Sequence, residues 1–259
     1  MVMKIFKTMF LGAMVLSTSS VLNNTAVGQQ LESNDMKKKI LFVVTSHDKK
    51  GNTGEPTGYY LSEVSHPWKV LKDAGYEIDF VSPKGGKAPV DGFDLTDPEN
   101  NEFWGDTAYR YKIEHTLKPS AVNPDDYIAI HYAGGHGAMW DLPKDQAIAR
   151  LAARIYESGG FVSAVCHGPA GLVNIKLSNG KYLLEGKKVN GFTNEEEVAV
   201  KLENIVPFSL EDKLKAKGAQ FEKSGVWEVH VVTDQRLVTG QNPQSARAVG
   251  KALLSELTK

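Results

Sequence analysis

The stretch that most constrains this chain runs from Gly159 to Ala170, with Phe161-Val162-Ser163-Ala164-Val165 leading into Cys166-His167-Gly168-Pro169. Phe161 to Val165 are apolar or small, the composition of a strand covered on both faces. Gly168 and Pro169 follow at once, and proline suits the first turn of a helix, where no amide donor is needed. The sequence therefore predicts a buried strand, an abrupt turn at Cys166 and a helix directly behind it. Ala164 and Gly168 are small enough to permit the turn. The pattern is that of a nucleophile elbow with cysteine in place of serine. A helix start behind the sulfur would aim free amides and a positive dipole end at it, favouring thiolate. Cys166 is the one cysteine among 259 residues. A free cysteine is often a small apolar core residue. The elbow, the adjacent His167 and a second glycine-rich turn upstream favour chemistry instead.

Around this stretch the sequence alternates strand and helix. Short apolar runs predict strands over residues 39–45, 77–82, 127–132 and 161–165, with further strands at 188–189, 228–232 and 236–239. Helical spacing predicts helices over 60–74, 144–158, 195–202, 209–217 and 245–257. Such alternation implies a mostly parallel sheet with helices on both faces. Residues 83–124 read as an irregular insertion rich in Gly, Pro, Asp and Lys, the kind of excursion that serves as a lid or small subdomain.

The N-terminus reads as an export signal over residues 1–28. Lys4 and Lys7 precede the apolar run Met9 to Leu16, and Ala26-Val27-Gly28 offers small residues for cleavage. The apolar run is too short to span a bilayer. Residues 29–37 read as a polar linker, leaving 38–259 as one domain. With 30 Lys and Arg against 31 Asp and Glu, the net charge is −1. Nothing in that balance points to nucleic acid or to a membrane surface after cleavage. One cysteine allows no internal disulfide, and an exported protein with one thiol holds it reactive or paired between chains.

In a parallel sheet the active site lies beyond the carboxyl ends of the strands. Three such ends carry chemistry here: Ser46-His47-Asp48 leading on to Glu63, Gly134-Gly135-His136-Gly137, and Cys166-His167. Cys166 is the nucleophile candidate. His167 becomes a proton shuttle if a carboxylate orients its second ring nitrogen. The backbone amides of Gly135 and His167 are candidates for an oxyanion site, since glycine allows close approach. A carboxyl at Glu63 close to a thiolate would have a raised pKa and could pass protons. Glu195-Glu196-Glu197 reads equally as a solvated charge run. His66, His115, His131 and His136 read as structural, without the spacing of a metal site, and no metal or organic cofactor is expected.

Together these segments resemble the DJ/PfpI superfamily. The residues that carry the likeness are Ala133 to Gly137, Ala164 to Pro169, Thr57 to Glu63, His66-Pro67-Trp68, Gly191 to Glu197 and Val238 to Pro243. The likeness is strongest to its heat-shock chaperone and glyoxalase III-like branch. It implies a flavodoxin-like three-layer sandwich and a homodimer. It implies Cys166 as nucleophile, Glu63 as its carboxyl partner, His167 as second member of a triad and Glu197 as third. It implies glutathione-independent conversion of methylglyoxal to D-lactate, or deglycase action on reactive carbonyls. The alternatives are a cysteine peptidase or amidase of the PfpI type and a non-enzymatic stress holdase or redox sensor. Glutaminase chemistry is excluded because His230-Val231-Val232 lacks the acid it needs two residues on.

Overall fold

Along β1 (Lys39–Val43) and its continuation, Ile40, Phe42 and Val44 are buried on one side while Leu41 and Val43 are buried on the other. That two-sided burial puts the strand in the middle of a sheet with cover on both faces. The computed structural model describes residues 39–259 and, before them, Val2 alone. The export segment and linker read from the sequence otherwise lie outside the described residues.

The other strands of the main sheet are β2 (Glu77–Val81), β3 (Tyr127–Tyr132), β4 (Phe161–Val165), β5 (Val231–Asp234) and β6 (Leu237–Gly240). Their order is β2-β1-β3-β4-β6-β5, all neighbours parallel except the β6–β5 edge pair. This is the flavodoxin-like order, whose direction reverses between β1 and β3. The site must therefore form beyond the carboxyl ends of β1, β3 and β4.

Helices α1 (Leu61–Asp73) and α7 (Ala246–Leu257) cover one face, where Leu61, Val64, Trp68, Leu71 and Leu253 pack on Ile40, Phe42, Ile78 and Phe80. Helix α4 (Gln146–Glu157) covers the other with Ile148, Leu151, Ala152 and Ile155. Its start is fixed by Asp145, whose side chain accepts from the amides of Ala147 and Ile148. Gly250 lets α7 cross α1 closely, since a Cβ there would stand 2.8 Å from Pro67 Cα. Two shorter helices, α5 (Asn194–Ala199) and α6 (Leu210–Ala216), lie beyond the carboxyl end of β4 in sequence. The three-layer α/β sandwich is the fold that the sequence implied.

Three local expectations are corrected. Residues 83–124 are not irregular: they form α2 (Pro98–Gly105) and α3 (Thr107–Glu114). Each is started by an aspartate, Asp97 or Asp106, that accepts from two first-turn amides. Phe103 from α2 packs edge-on against Trp68 of α1, ring centres 5.1 Å apart. Two eight-residue helices with one buried side of a few residues leave too short a periodicity to read. Behind Cys166 there is no long helix but a five-residue 3-10 turn, Gly168–Leu172. Its glycines meet the sheet directly, for a Cβ on Gly168 would stand 2.2 Å from the Tyr132 carbonyl oxygen. Lys188–Val189 leaves the main sheet and pairs in parallel with Gln220–Phe221.

Candidate active site

The turn at Cys166 is sharp because its backbone sits in the left-handed region, φ 58°. A side chain other than glycine, asparagine or aspartate is strained there. Two bonds hold it: Cys166 N–H donates to Gly240 O (2.9 Å) and Phe192 N–H donates to Cys166 O (2.8 Å). The sulfur is nearly buried, with the residue 3% exposed.

Glu63 stands in the first turn of α1 and is wholly buried. Its Oε2 accepts from Gly134 N–H at 2.8 Å, while Gly134 O accepts from Tyr60 N–H at 3.2 Å. Pro67 lies four residues on and has no N–H for the Glu63 carbonyl. His131 fills that place: its Nε2 lies 3.2 Å from Glu63 O and its Nδ1 lies 2.9 Å from Ser163 Oγ. Burial pushes the His131 pKa down to about 4, so the ring is neutral at pH 7. His131 is thus structural, but it is the strut that fixes Glu63. Burial pushes the Glu63 carboxyl up to about 8, against the opposing pull of the neighbouring Cys166 thiol and the Gly134 amide. Its Oε1 is buried without a hydrogen-bond partner. An ionised oxygen so placed would be costly, whereas a protonated one is a donor available to the sulfur.

Gly134 and Gly135 are both required as glycine. A Cβ on Gly134 would stand 2.5 Å from Glu63 Oε2 and 2.6 Å from His167 N. Gly135 has φ 91°, and its Cβ would stand 2.3 Å from Gly58 O. Gly135 thus lines the cavity beside Cys166, where its backbone amide works against the upward push on the thiol.

On the other side of the sulfur, His167 Nδ1 lies 3.3 Å from Cys166 Sγ, and His167 Nε2 lies 2.8 Å from Glu197 Oε2. The second oxygen of Glu197 lies 2.9 Å from His136 Nε2. Burial acts to raise Glu197, but hydrogen bonds from His136 and His167 carry it down to about 2. The ionised carboxylate accepts an Nε2–H from each imidazole, which leaves the His167 Nδ1 lone pair facing the thiol. Burial, then the charge of His136, lowers His167 to about 4 despite Glu197. It is therefore neutral at pH 7, with its Nδ1 lone pair free to accept.

The run Glu195-Glu196-Glu197 divides its labour. Glu195 pairs with Lys223 at the surface. Glu196 is buried and closes a capping box with Thr193 at the start of α5. Its other oxygen accepts from Trp227 N–H, Gln241 Nε2 and Asn242 Nδ2. Glu197 is held inward by that anchored first turn. Sequence reading of His136 as structural is corrected: it shares the Glu197 carboxylate. The expected helix-dipole lowering of the thiol is corrected too. Burial, then the charge of Glu63, pushes the Cys166 thiol up, and a 3-10 turn supplies little dipole. When Glu63 carries its proton that opposing charge is gone, and burial is the main force left holding the thiol up.

These groups form the floor of a cavity of about 420 Å³. Cys166, His167, Gly135 and His136 line its base, and Phe192 and Trp227 one wall. His136, His167 and Glu197 place three ligand-type atoms within 4.8 Å of one another, the one group of this kind among the described residues. Two imidazoles and a carboxylate suit a zinc-like cation. Here the same atoms hydrogen-bond one another. Trp227, which the sequence did not point to, lines the cavity without a local pattern that marks it.

Residues 56–256 match the model of the DJ-1/PfpI family. The chain is 36% identical to the glutathione-independent glyoxalase HSP31 of Saccharomyces cerevisiae, over 82% of this chain and 94% of that protein. It is 33% identical to glyoxalase 3 of Candida albicans, over 80% and 93% of the two. Among solved structures, the Rapid Encystment Protein 24 KDa of Francisella tularensis superposes with a TM-score of 0.82 at 40% identity, covering 85% of this chain and 98% of that one. Glyoxalase III of Candida albicans superposes with a TM-score of 0.76 at 31% identity, covering 85% and 97%.

Proposed function

Since the chain belongs to the DJ-1/PfpI family, we propose that it is a cysteine-dependent, glutathione-independent glyoxalase that converts methylglyoxal to D-lactate. The observation that carries this reading is the pair of proton carriers flanking one sulfur. A buried carboxyl raised to about 8 stands on one side, and a neutral imidazole with its lone pair toward Sγ on the other. Names of relatives that are glyoxalases agree with it.

The chemistry follows from these positions. His167 Nδ1 takes the thiol proton as Cys166 Sγ adds to the aldehyde carbon. Glu63 protonates the new alkoxide, giving a hemithioacetal, and becomes a carboxylate. The amides of Gly135 and His167 stabilise the oxyanion on the way. Glu63 then removes the carbon-bound proton while His167 protonates the former ketone oxygen, giving an enediol. Glu63 returns a proton to the second carbon as His167 takes the hydroxyl proton from the first, leaving a thioester. Water adds with Glu63 as base, His167 protonates the departing sulfur, and the hydroxy acid leaves. One water is added; the aldehyde carbon is oxidised and the ketone carbon reduced within one molecule. Because Glu63 lies on one side only, the returned proton sets a single configuration.

The nearly buried sulfur, in a residue only 3% exposed, favours a small carbonyl over a peptide chain. The test is D-lactate production from methylglyoxal without glutathione, by the native protein and by Cys166→Ser. Product from the first alone supports the reading; none from either overturns it. Export remains part of the proposal on the sequence pattern of residues 1–28. Sequencing the N-terminus of protein from the native host checks it, and a cytosolic protein beginning at Met1 refutes it. The homodimer rests on family likeness and is checked by light scattering.

A further inference from the structure

The cavity is far larger than methylglyoxal needs. Its volume of about 420 Å³ falls in the range of about 300–1,000 Å³ that takes drug-sized ligands, several times what a five-heavy-atom aldehyde fills. The surplus is not evenly lined. Phe192 packs on His167 with ring centres 4.3 Å apart, and Trp227 packs on Phe192 at 5.7 Å. The two rings make a wall leading from the reacting groups to the mouth, extended by Val200 and Leu202. Lys50 and Asp91, paired at 3.8 Å, also line the cavity. It thus offers an aromatic and aliphatic lining beside a charged pair.

Trp227 is held in place rather than left to chance. Its backbone lies at φ 64°, a genuine outlier for a bulky residue and a mark of a functional constraint. Its N–H donates at 3.1 Å to Glu196 Oε1, the buried oxygen that also accepts from Gln241 and Asn242. Glu196 precedes Glu197, so the anchor that fixes the wall also fixes the acid beside His167. A strained tryptophan tied to the catalytic helix presents its ring to the cavity with 38% of the residue exposed.

We propose that Phe192 and Trp227 form a subsite for the non-reacting substituent of the substrate, and that the preferred substrates are 2-oxoaldehydes bearing an aryl or branched apolar group. This rests on the glyoxalase reading above. With the aldehyde carbon at Cys166 Sγ, the substituent of such a substrate extends along the rings, and the reaction is unchanged: internal oxidation and reduction with one water added. An additional methylene in an apolar pocket is worth roughly tenfold or more in kcat/KM, so a phenyl in place of methyl is expected to gain at least that, chiefly in KM.

The experiment measures kcat/KM for phenylglyoxal and methylglyoxal, followed as mandelate and lactate, with Cys166→Ser as blank. The native protein is expected to favour phenylglyoxal at least tenfold. Trp227→Gly removes the ring yet suits the positive φ, so the loop keeps its course; it is expected to cut the ratio of the two values at least tenfold. Trp227→Phe is expected to restore most of it. A native ratio at or below one, or a ratio unmoved in Trp227→Gly, overturns the subsite while leaving the glyoxalase reading standing. Turnover of neither aldehyde overturns both.

Discussion

Replacing Glu63 by glutamine tests the protonation of the buried carboxyl without touching its shape. The amide of Glu63→Gln keeps an oxygen for Gly134 N–H and fills the same space, but it carries no titrating proton. In the folded chain Glu63 is raised from 4.5 to about 8 by burial. Below pH 4.5 folded and unfolded chains both hold this proton. Between 4.5 and 8 only the folded chain holds it, so stability is lost as pH rises through that window and the loss is complete above about 8. The slope inside the window is about 1.36 kcal/mol per pH unit, which gives roughly 2.5 kcal/mol between pH 5 and 7 and roughly 5 kcal/mol in all. Glu63→Gln lacks this loss. His131 and His167, lowered from 6.5 to about 4, add stability as pH rises from about 4 to 6.5, and Glu197, lowered from 4.5 to about 2, as it rises from about 2 to 4.5. They are common to both proteins and cancel in the difference. The assay is urea unfolding at pH 5, 6 and 7 at fixed protein concentration, repeated in a Cys166→Ser background to remove the thiol. The stability of Glu63→Gln minus that of the native protein is expected to climb by about 2.5 kcal/mol from pH 5 to 7. A difference that is flat, or that falls with pH, would show Glu63 ionised in the fold and would remove the proton donor from the mechanism.

Three further outcomes follow from the same geometry. Glu197→Gln takes away the anion that fixes both Nε2–H tautomers, and kcat on methylglyoxal is expected to fall about 10²- to 10⁴-fold with the fold retained by circular dichroism; a fall under threefold would contradict the role given to Glu197. Gly135→Ala puts a Cβ 2.3 Å from Gly58 O and 2.6 Å from Tyr60 N at φ 91°, an expected loss of about 3 kcal/mol from strain and overlap, read in the urea midpoint; an unchanged midpoint refutes it. The kcat/KM profile is expected to rise through about pH 4 as His167 loses its proton and to fall through about pH 8 as Glu63 loses its own; persistence of full activity at pH 9.5 would exclude Glu63 as the acid.

How much of this was legible in the sequence depends on distance along the chain. The strand into Cys166 could be read because a two-sided apolar run followed by Gly-Pro constrains its own backbone. The same holds for β1, whose alternating residues all meet cover. Helices α2 and α3 escaped because eight residues with three and one buried side chains respectively give almost no period, although Asp97-Pro98 and Asp106 were visible cap signals. The 3-10 turn after Cys166 escaped for a different reason. Its course is dictated by contact of Gly168 with the backbone of β3, which no local preference encodes.

The site itself was half legible, and the missing half is the part made by shared atoms. Cys166, His167 and Glu63 lie in patterned segments, so residue type and position suggested their chemistry. Whether a glutamate in a run of three faces solvent or an imidazole is decided by the register of a six-residue helix. That register is set by Glu196, which caps Thr193 and gathers amides from residues 227, 241 and 242. A buried carboxylate with that many neutral donors needs no counter-ion to be tolerated, because each donated hydrogen bond offsets part of its lost hydration. Its neighbour Glu197 is then turned toward His136 and His167, and one carboxylate serves two rings. His136 accordingly reads as a spare histidine in the chain and as a partner of the triad acid in the fold. Removing His136 would leave one oxygen of Glu197 without its donor, raise the acid toward its ordinary value, and weaken its hold on His167. The contribution of that ring to catalysis is therefore indirect: it holds one oxygen of Glu197 so that the other stays on His167 Nε2 and His167 keeps its lone pair on the sulfur.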